Sequence, residues 1–274
     1  MTNDPPPPVT GAPCAPVTVI VLAGQRAGVT NPLAVRAGVS HKCLAPIRGK
    51  PLLAHVLDTL TTLPSVAEIR VSLEPEAHGE VQALLAPYLA RGVPIRLVAS
   101  DTNIVESVLA AAGTDPGPFI ITTADNVLLT RAGVEALRLA MEEADAVIAL
   151  TRKECVHAAH PEGQRNFYEL RDGGYANCNL YGITNRKAFA AAEAFREGGQ
   201  FQKNPRRLAR AVGLVNIVLM RFRLIGMEAA MRRLSRRFGV TIRAVSFADG
   251  ALAIDVDNER TYRICEELLA ARSA

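Results

Sequence analysis

The sequence has no CxxC pair, no apolar run long enough to span a bilayer and no basic, apolar leader, and each absence removes a class of protein. Its five cysteines, Cys14, Cys43, Cys155, Cys178 and Cys265, are scattered along 274 residues. That spacing and the odd total argue against a zinc knuckle or a disulfide framework and lead us to expect a reducing cytoplasm. A transmembrane helix needs roughly 20 consecutive apolar residues, and the longest candidate, AVGLVNIVLM from Ala211 to Met220, is about half that. The leader MTNDPPPPVTGAPCAP has four consecutive prolines and neither part of a signal peptide. We expect residues 1–16 to be an extended, poorly ordered leader outside the fold.

What remains has the means to fold. With 49% hydrophobic and 21% charged residues, residues 17–274 are expected to form one domain with a full core. Short Val- and Ile-rich runs (17–23, 68–73, 94–100, 118–124, 145–151) alternate with helical patterns (51–63, 78–90, 105–113, 131–144). Such alternation predicts an α/β fold, a mostly parallel sheet between two helical layers, with ligands outside the carboxyl ends of the strands. The site should then lie in the loops after Ala23, Ser100 and Ala124.

The first of these loops, in LAGQRAG, has a glycine that lets backbone N–H groups approach an anion. It is neither GxGxxG nor GxxxxGK[ST], and a glycine after a strand is usually just a turn. The segment SHKCLAPIRGKPLLAHVLDTL, Ser40 to Leu60, adds more. It resembles the K-x-L-x-P-x-x-G-K-P-x-L segment of nucleotidyltransferases with the GT-A type Rossmann-like fold. These include MobA-like guanylyltransferases, sugar-1-phosphate nucleotidyltransferases and cytidylyltransferases of small phosphorylated alcohols. Three more stretches resemble that family in order: Asn103–Val108, TTADN ending at Asn126, and IDVDNERTYRICEELL near the end. One departure is plain. The family's L-A-G-G-x-G-x-R loop is here Gly24, Gln25, Arg26, Ala27 and Gly28, followed by the insertion VTNPLAVRAGVS before Lys42. Arg26 or Arg36 is a candidate to supply charge that backbone amides supply in relatives.

The resemblance implies a Rossmann-like three-layer αβα sandwich with a mostly parallel mixed sheet, which transfers a nucleoside monophosphate from a nucleoside triphosphate, CTP slightly favoured, to a phosphorylated sugar or alcohol. Pyrophosphate leaves, Mg2+ assists, and no nucleic acid takes part. Both reactants are anionic, so cations must offset the charge of the transition state. Leu22, Ala23, Gly24, Gln25 and Arg26 are implied nucleotide contacts. Lys42 matches the lysine that faces the phosphates; a solvated surface lysine is the plain alternative. Lys50 either follows that pattern or flanks a turn.

Asp125 follows the apolar strand FIITTA and matches the family's metal aspartate; otherwise it would cap a helix. Asp255 resembles the second metal ligand. Asp257, two residues on along an expected strand and so on the same face, is equally a helix cap. Ser107 is either a base-corner contact or a helix cap. Asn177 and Asn179, in RDGGYANCNLYGIT, resemble the loop that receives the second substrate, and beside Gly-Gly they are also ordinary turn residues. His157 and His160 form an HxxH with no third ligand in view and read as a surface loop. Two rival functions are a GT-A glycosyltransferase using a nucleotide-sugar and a non-catalytic nucleotide sensor.

The charge is uneven. The chain's net charge is +4, yet from Lys203 to Arg237 ten basic residues face one acid, Glu228, giving +9 there and 4 − 9 = −5 elsewhere. Residues 201–239 read as a basic helical insertion with Leu208, Val212, Val215, Leu219 and Phe222 at helical spacing. Packing on the domain or on a second subunit is one reading; peripheral contact with an anionic inner-membrane surface is the other.

Overall fold

The computed structural model describes residues 15–25, 31–92, 94–101, 103–189 and 213–273. Arg26 and residues 201–212 lie outside them. Ten strands run in chain order: β1 (Val17–Leu22), β2 (Pro46–Ile47), β3 (Lys50–Pro51), β4 (Val66–Leu73), β5 (Ile95–Ala99), β6 (Phe119–Thr123), β7 (Ala146–Arg152), β8 (Tyr168–Leu170), β9 (Gly173–Ile183) and β10 (Ile242–Phe247). The main sheet has the order β10-β7-β9-β6-β1-β4-β5, with β8 paired to β9. Its β1–β4, β1–β6, β4–β5 and β7–β10 pairs are parallel. Strand β9 runs antiparallel to β6 and β7, so the sheet is mostly parallel and mixed, as the family resemblance implies. The reversal brings the N-terminal half of β9 to the carboxyl ends of its neighbours.

Alternation along each strand builds two cores. Val17, Val19 and Val21 of β1 join one cluster, together with Ile69, Val71 and Leu73 of β4. Ile20, Phe119 and Ile121 point into the other. Over the first face lie α2 (Leu52–Leu60), α3 (His78–Leu89), α5 (Arg131–Ala140), α6 (Lys153–Ala159) and the C-terminal α9 (Glu259–Ser273). Leu52, Leu53, Val56, Leu57 and Leu60 of α2 are fully buried, a stripe at helical spacing that anchors this layer. The second face carries α4 (Ile104–Ala112) and α8 (Met227–Phe238). The remaining helices are α1 (Pro32–Ala37) and α7 (Leu214–Arg221). None of the described helices is long and apolar enough to cross a membrane.

Alternation also drives a charge inward. Arg70 lies between Ile69 and Val71 and so faces α4, with 3% of its surface exposed. It donates to the carbonyls of Ala111 (2.7 Å) and Ala112 (3.0 Å) at the end of α4 and pairs with Glu68 and Asp115. A cation at a helix C-terminus satisfies its free carbonyls and meets the negative end of its dipole.

Two expectations change here. Residues 254–257 are not a strand: a 3-10 turn over Gly250–Ala253 leads into irregular chain. The side-chain alternation inferred for Asp255 and Asp257 therefore does not apply. Ser107 does not cap α4 either. Asn103 does, accepting from Val105 N (3.0 Å) and Glu106 N (3.1 Å), while Ser107 exchanges hydrogen bonds with the Asp101 backbone at 2.9 and 3.3 Å.

Candidate active site

Strand β1 has β4 on one side and β6 on the other, so successive connections leave it in opposite directions and open a crevice beyond its carboxyl end. Leu22 and Ala23 lie there, tied into the sheet by Ala124 N to Leu22 O (2.9 Å) and Ala23 N to Ser72 O (2.8 Å). The altered glycine loop is braced from below. Gln25 N donates to Glu74 Oε1 (3.0 Å) and Gln25 Nε2 to Ser40 O (3.0 Å). A Cβ on Gly24 would stand 3.0 Å from the same Glu74 oxygen, so glycine is what lets this carboxylate reach the loop. The other oxygen of Glu74 lies 3.3 Å from His41 Nε2. Sequence reasoning missed Glu74 and His41; an acid just past a strand end and a histidine before the key lysine were the available signals.

Beyond β6 the chain turns sharply, Asn126 N bonding to Thr123 O at 3.2 Å. Asn126 is buried and its amide reaches Cys178 O at 3.0 Å, fixing the turn to β9. The turn holds Asp125 at the crevice floor, and Val256 N donates to Asp125 O (3.1 Å), joining the C-terminal segment to it. Lys42 arrives from a short 3-10 turn before the β2–β3 hairpin. Its ammonium forms an ion pair with Asp125, donates to Val256 O at 3.2 Å and lies 3.7 Å from Asp257 Oδ1. Lys42, Asp125 and Asp255, expected from three distant stretches of sequence, thus converge, and Asp257 joins them. Asp257 is not the helix cap: Asn258 Oδ1 accepts from Arg260 N (3.1 Å) and Thr261 N (3.2 Å).

Asn179 donates to Asp255 Oδ2 at 2.7 Å. Asn177 accepts from Asn179 N (3.1 Å) and donates to Asn179 Oδ1 (3.3 Å) and to the Tyr181 hydroxyl. Asn179 has φ +46°, a left-handed conformation that asparagine tolerates better than most residues. The two asparagines are therefore joined to the carboxylate cluster through this chain of hydrogen bonds.

Electrostatically the site is short of positive charge. Burial, then Asp257 and Asp125, push the Asp255 carboxyl well above the usual carboxylate range. Burial followed by Asp125 raises Asp257 as well. At Lys42 burial opposes the charge, but the attraction of Asp125, Asp257 and Asp255 outweighs it and the shift is upward. Asp125 Oδ1 is buried with no hydrogen-bond partner among the described residues. An unpaired carboxylate oxygen beside a strained set of acids is chemistry that suits a hard divalent cation. No group of three His, Cys, Asp or Glu side chains among the described residues converges as a ready-made metal cage. Mg2+ characteristically uses one or two carboxylates and completes its shell with water and substrate phosphates, so Asp125 and Asp255 fit that mode.

The other candidates have partners of their own among the described residues. Arg36 pairs with Glu259 and lies 4.2 Å over the Tyr262 ring, so the insertion's helix clasps α9. Lys50 pairs with Asp58 of α2, its turn-flanking role. His157 packs edge-on against Phe167 at 5.4 Å, and His160 lies 3.5 Å from Glu267.

The MobA-like NTP transferase domain matches residues 19–210, more than half of the chain. The chain belongs to that family. The match takes in the glycine loop, Lys42 and Asp125 and ends before Asp255. Among solved structures, a hypothetical transferase from Thermus thermophilus is 26% identical, with a TM-score of 0.72 over 90% of this chain and 99% of that one. A 4-diphosphocytidyl-2C-methyl-D-erythritol synthase from Anaerococcus prevotii has a TM-score of 0.60 at 12% identity, over 93% of this chain and 99% of that one. A CMP:2-keto-3-deoxy-manno-octonic acid synthetase complexed with CTP has 0.57 at 17% identity, with the same coverage. The last two share the fold. No curated protein sequence matches. Family and fold together identify a nucleotidyltransferase-like protein with a Rossmann-like αβα architecture.

Proposed function

We propose that this member of the family is a Mg2+-dependent enzyme that transfers a nucleoside monophosphate from a nucleoside triphosphate to a phosphorylated sugar or alcohol. The observation that carries the reading is the meeting of Lys42, Asp125 and Asp255 at the carboxyl edge of the sheet. Asp125 and Asp255 would hold the ion, which supplies positive charge to offset that on the phosphates.

An acceptor phosphate oxygen attacks the α-phosphorus of the triphosphate; that P–O bond forms as the bond to the β-phosphate oxygen breaks, and pyrophosphate departs. The acceptor phosphate is ionised at neutral pH, so no residue need remove a proton. Lys42 would balance the departing charge, moving between Asp125 and phosphate oxygen, as a flexible ammonium can. Asn179 would hold Asp255 in one orientation, and Gly24 and Gln25, braced by Glu74, would seat the nucleotide. CTP is the first triphosphate to try, in keeping with the cytidylyl chemistry in the names of two structural neighbours.

Pyrophosphate release should be measured for four NTPs against pools of sugar, polyol and amino-alcohol phosphates. One pairing should turn over, and EDTA should abolish the signal. Asp125→Ala should lower turnover by orders of magnitude in a folded protein. Tight NTP binding with no turnover on any acceptor would instead make the protein a nucleotide sensor.

A further inference from the structure

The described residues include eight strongly exposed large apolar side chains, and four of them, Val215, Val218, Phe222 and Leu224, fall within ten positions. Val215, Val218 and Phe222 follow i, i+3, i+7 along α7 and the turn after it, which places them on one face. Their exposures are 63%, 43% and 68%, and that of Leu224 is 54%. Arg221 and Arg223 stand exposed between them, and Arg232, Arg236 and Arg237 are exposed on the adjoining α8. From Gly213 to Gly239 the chain carries six arginines and one acid.

The patch is held firmly in place. Arg171 N donates to Ile225 O at 3.0 Å, and Met227 N to Asp172 Oδ2 at 2.9 Å. A Cβ at Gly226 would overlap the Asp172 carboxylate. These bonds fix the turn after α7 to the β8–β9 hairpin, whose longer strand carries Asn177 and Asn179.

We infer that this face docks on an anionic membrane surface. A stripe of exposed apolar side chains among arginines places hydrocarbon at the acyl boundary and guanidinium groups among lipid phosphates. Asn216, the polar side chain of α7 other than its terminal arginine, is turned onto Arg233. The polar groups that the outward face offers a partner are therefore guanidinium donors, which pair with the phosphates of a lipid surface. A second copy would set arginines against arginines. Residues 190–212 carry five cations (Arg196, Lys203, Arg206, Arg207, Arg210) against two acids (Glu193, Glu197) and supply no compensating charge. Docking in this way turns the β8–β9 hairpin toward the lipid.

The test is co-sedimentation of the full chain with phosphatidylcholine vesicles, with and without 30% phosphatidylglycerol as the probe lipid, across a salt series. Binding should require phosphatidylglycerol and weaken as salt rises. Phe222→Ser with Leu224→Ser, and separately Arg221→Gln with Arg223→Gln, should each lower it about tenfold or more. Melting temperatures within about 2 °C of wild type would show that the variants remain folded, whether or not a transferase assay has succeeded. Undetectable binding at low salt, or binding that both variants retain, overturns the proposal. A dimer in sedimentation velocity that Phe222→Ser dissociates would also overturn it, assigning the face to self-association.

Discussion

Lys42 presents two faces, and a substitution separates them. It is a phosphate cation by resemblance and, in the structure, the counter-charge of Asp125. Lys42→Met keeps the aliphatic stem and removes the charge. Because the two side chains are 21% and 12% exposed, the pair lies between a surface bridge and a buried one, and its loss should cost about 2 kcal/mol. Adding Asp125→Asn should restore most of that in urea unfolding, since the stranded carboxylate is gone, and pyrophosphate release should stay lost in both proteins. Full stability of Lys42→Met would show that the lysine is not needed to hold Asp125. Normal kcat/KM in that variant would remove it from the chemistry.

At the level of elements, the C-terminal turn decides where Asp255 sits. Gly250 begins a 3-10 turn packed so closely on α6 that a Cβ would overlap the Cys155 carbonyl. Gly163 meets Ile254 with similar closeness, and Gln164 Nε2 reaches Ala253 O at 2.8 Å. Gly250→Ala must push the turn away from rigid backbone, costing about 1–3 kcal/mol, and should carry Asp255 with it. Turnover of the folded variant should fall at least tenfold. A melting point lowered with kinetics intact would show that the turn relaxes without moving the carboxylate.

The same turn marks where sequence pattern stops informing. Strands β1, β4, β6 and β7 are legible because Val and Ile recur between helices of 3.6-residue period, and Asp125 because it ends such a strand. Asp255 is legible only through resemblance, since ALAIDVD has the alternation of a strand and folds as a turn under tertiary contact. The contact of Glu74 with Gln25, the β9 reversal and the hydrogen bond from Asn179 to Asp255 depend on residues brought together from distant parts of the chain. No local period encodes them.

Across the whole molecule, the two edges of the sheet respond to pH in opposite ways. At the edge away from the crevice, Asp145 accepts from Thr241 N (2.8 Å) and Asn185 Nδ2 (2.7 Å), and its backbone oxygen accepts from Thr184 N (2.9 Å). The Thr241 and Asn185 bonds hold its carboxyl below the usual range. Its contribution to stability is therefore complete above the unfolded value of ~3.9 and is lost as pH falls through the lower native value. Asp255 has the reverse sign. Its raised value means that the native state prefers the proton, so its contribution is complete below ~3.9 and lost as pH rises through the native value. Without divalent cations, the melting temperature should pass through a maximum on the acid side of neutrality. Asp145→Ala should flatten the acid limb, and Asp255→Asn should flatten the alkaline limb while abolishing turnover. Mg2+ at millimolar concentration should raise the neutral-pH melting point of wild type, as any ligand of the native state does, and do little for Asp255→Asn. Scanning calorimetry from pH 3 to 9 with and without Mg2+ checks both limbs. If Asp255→Asn tracks wild type throughout, the carboxylates are not in conflict and the basis for a cation between them is gone.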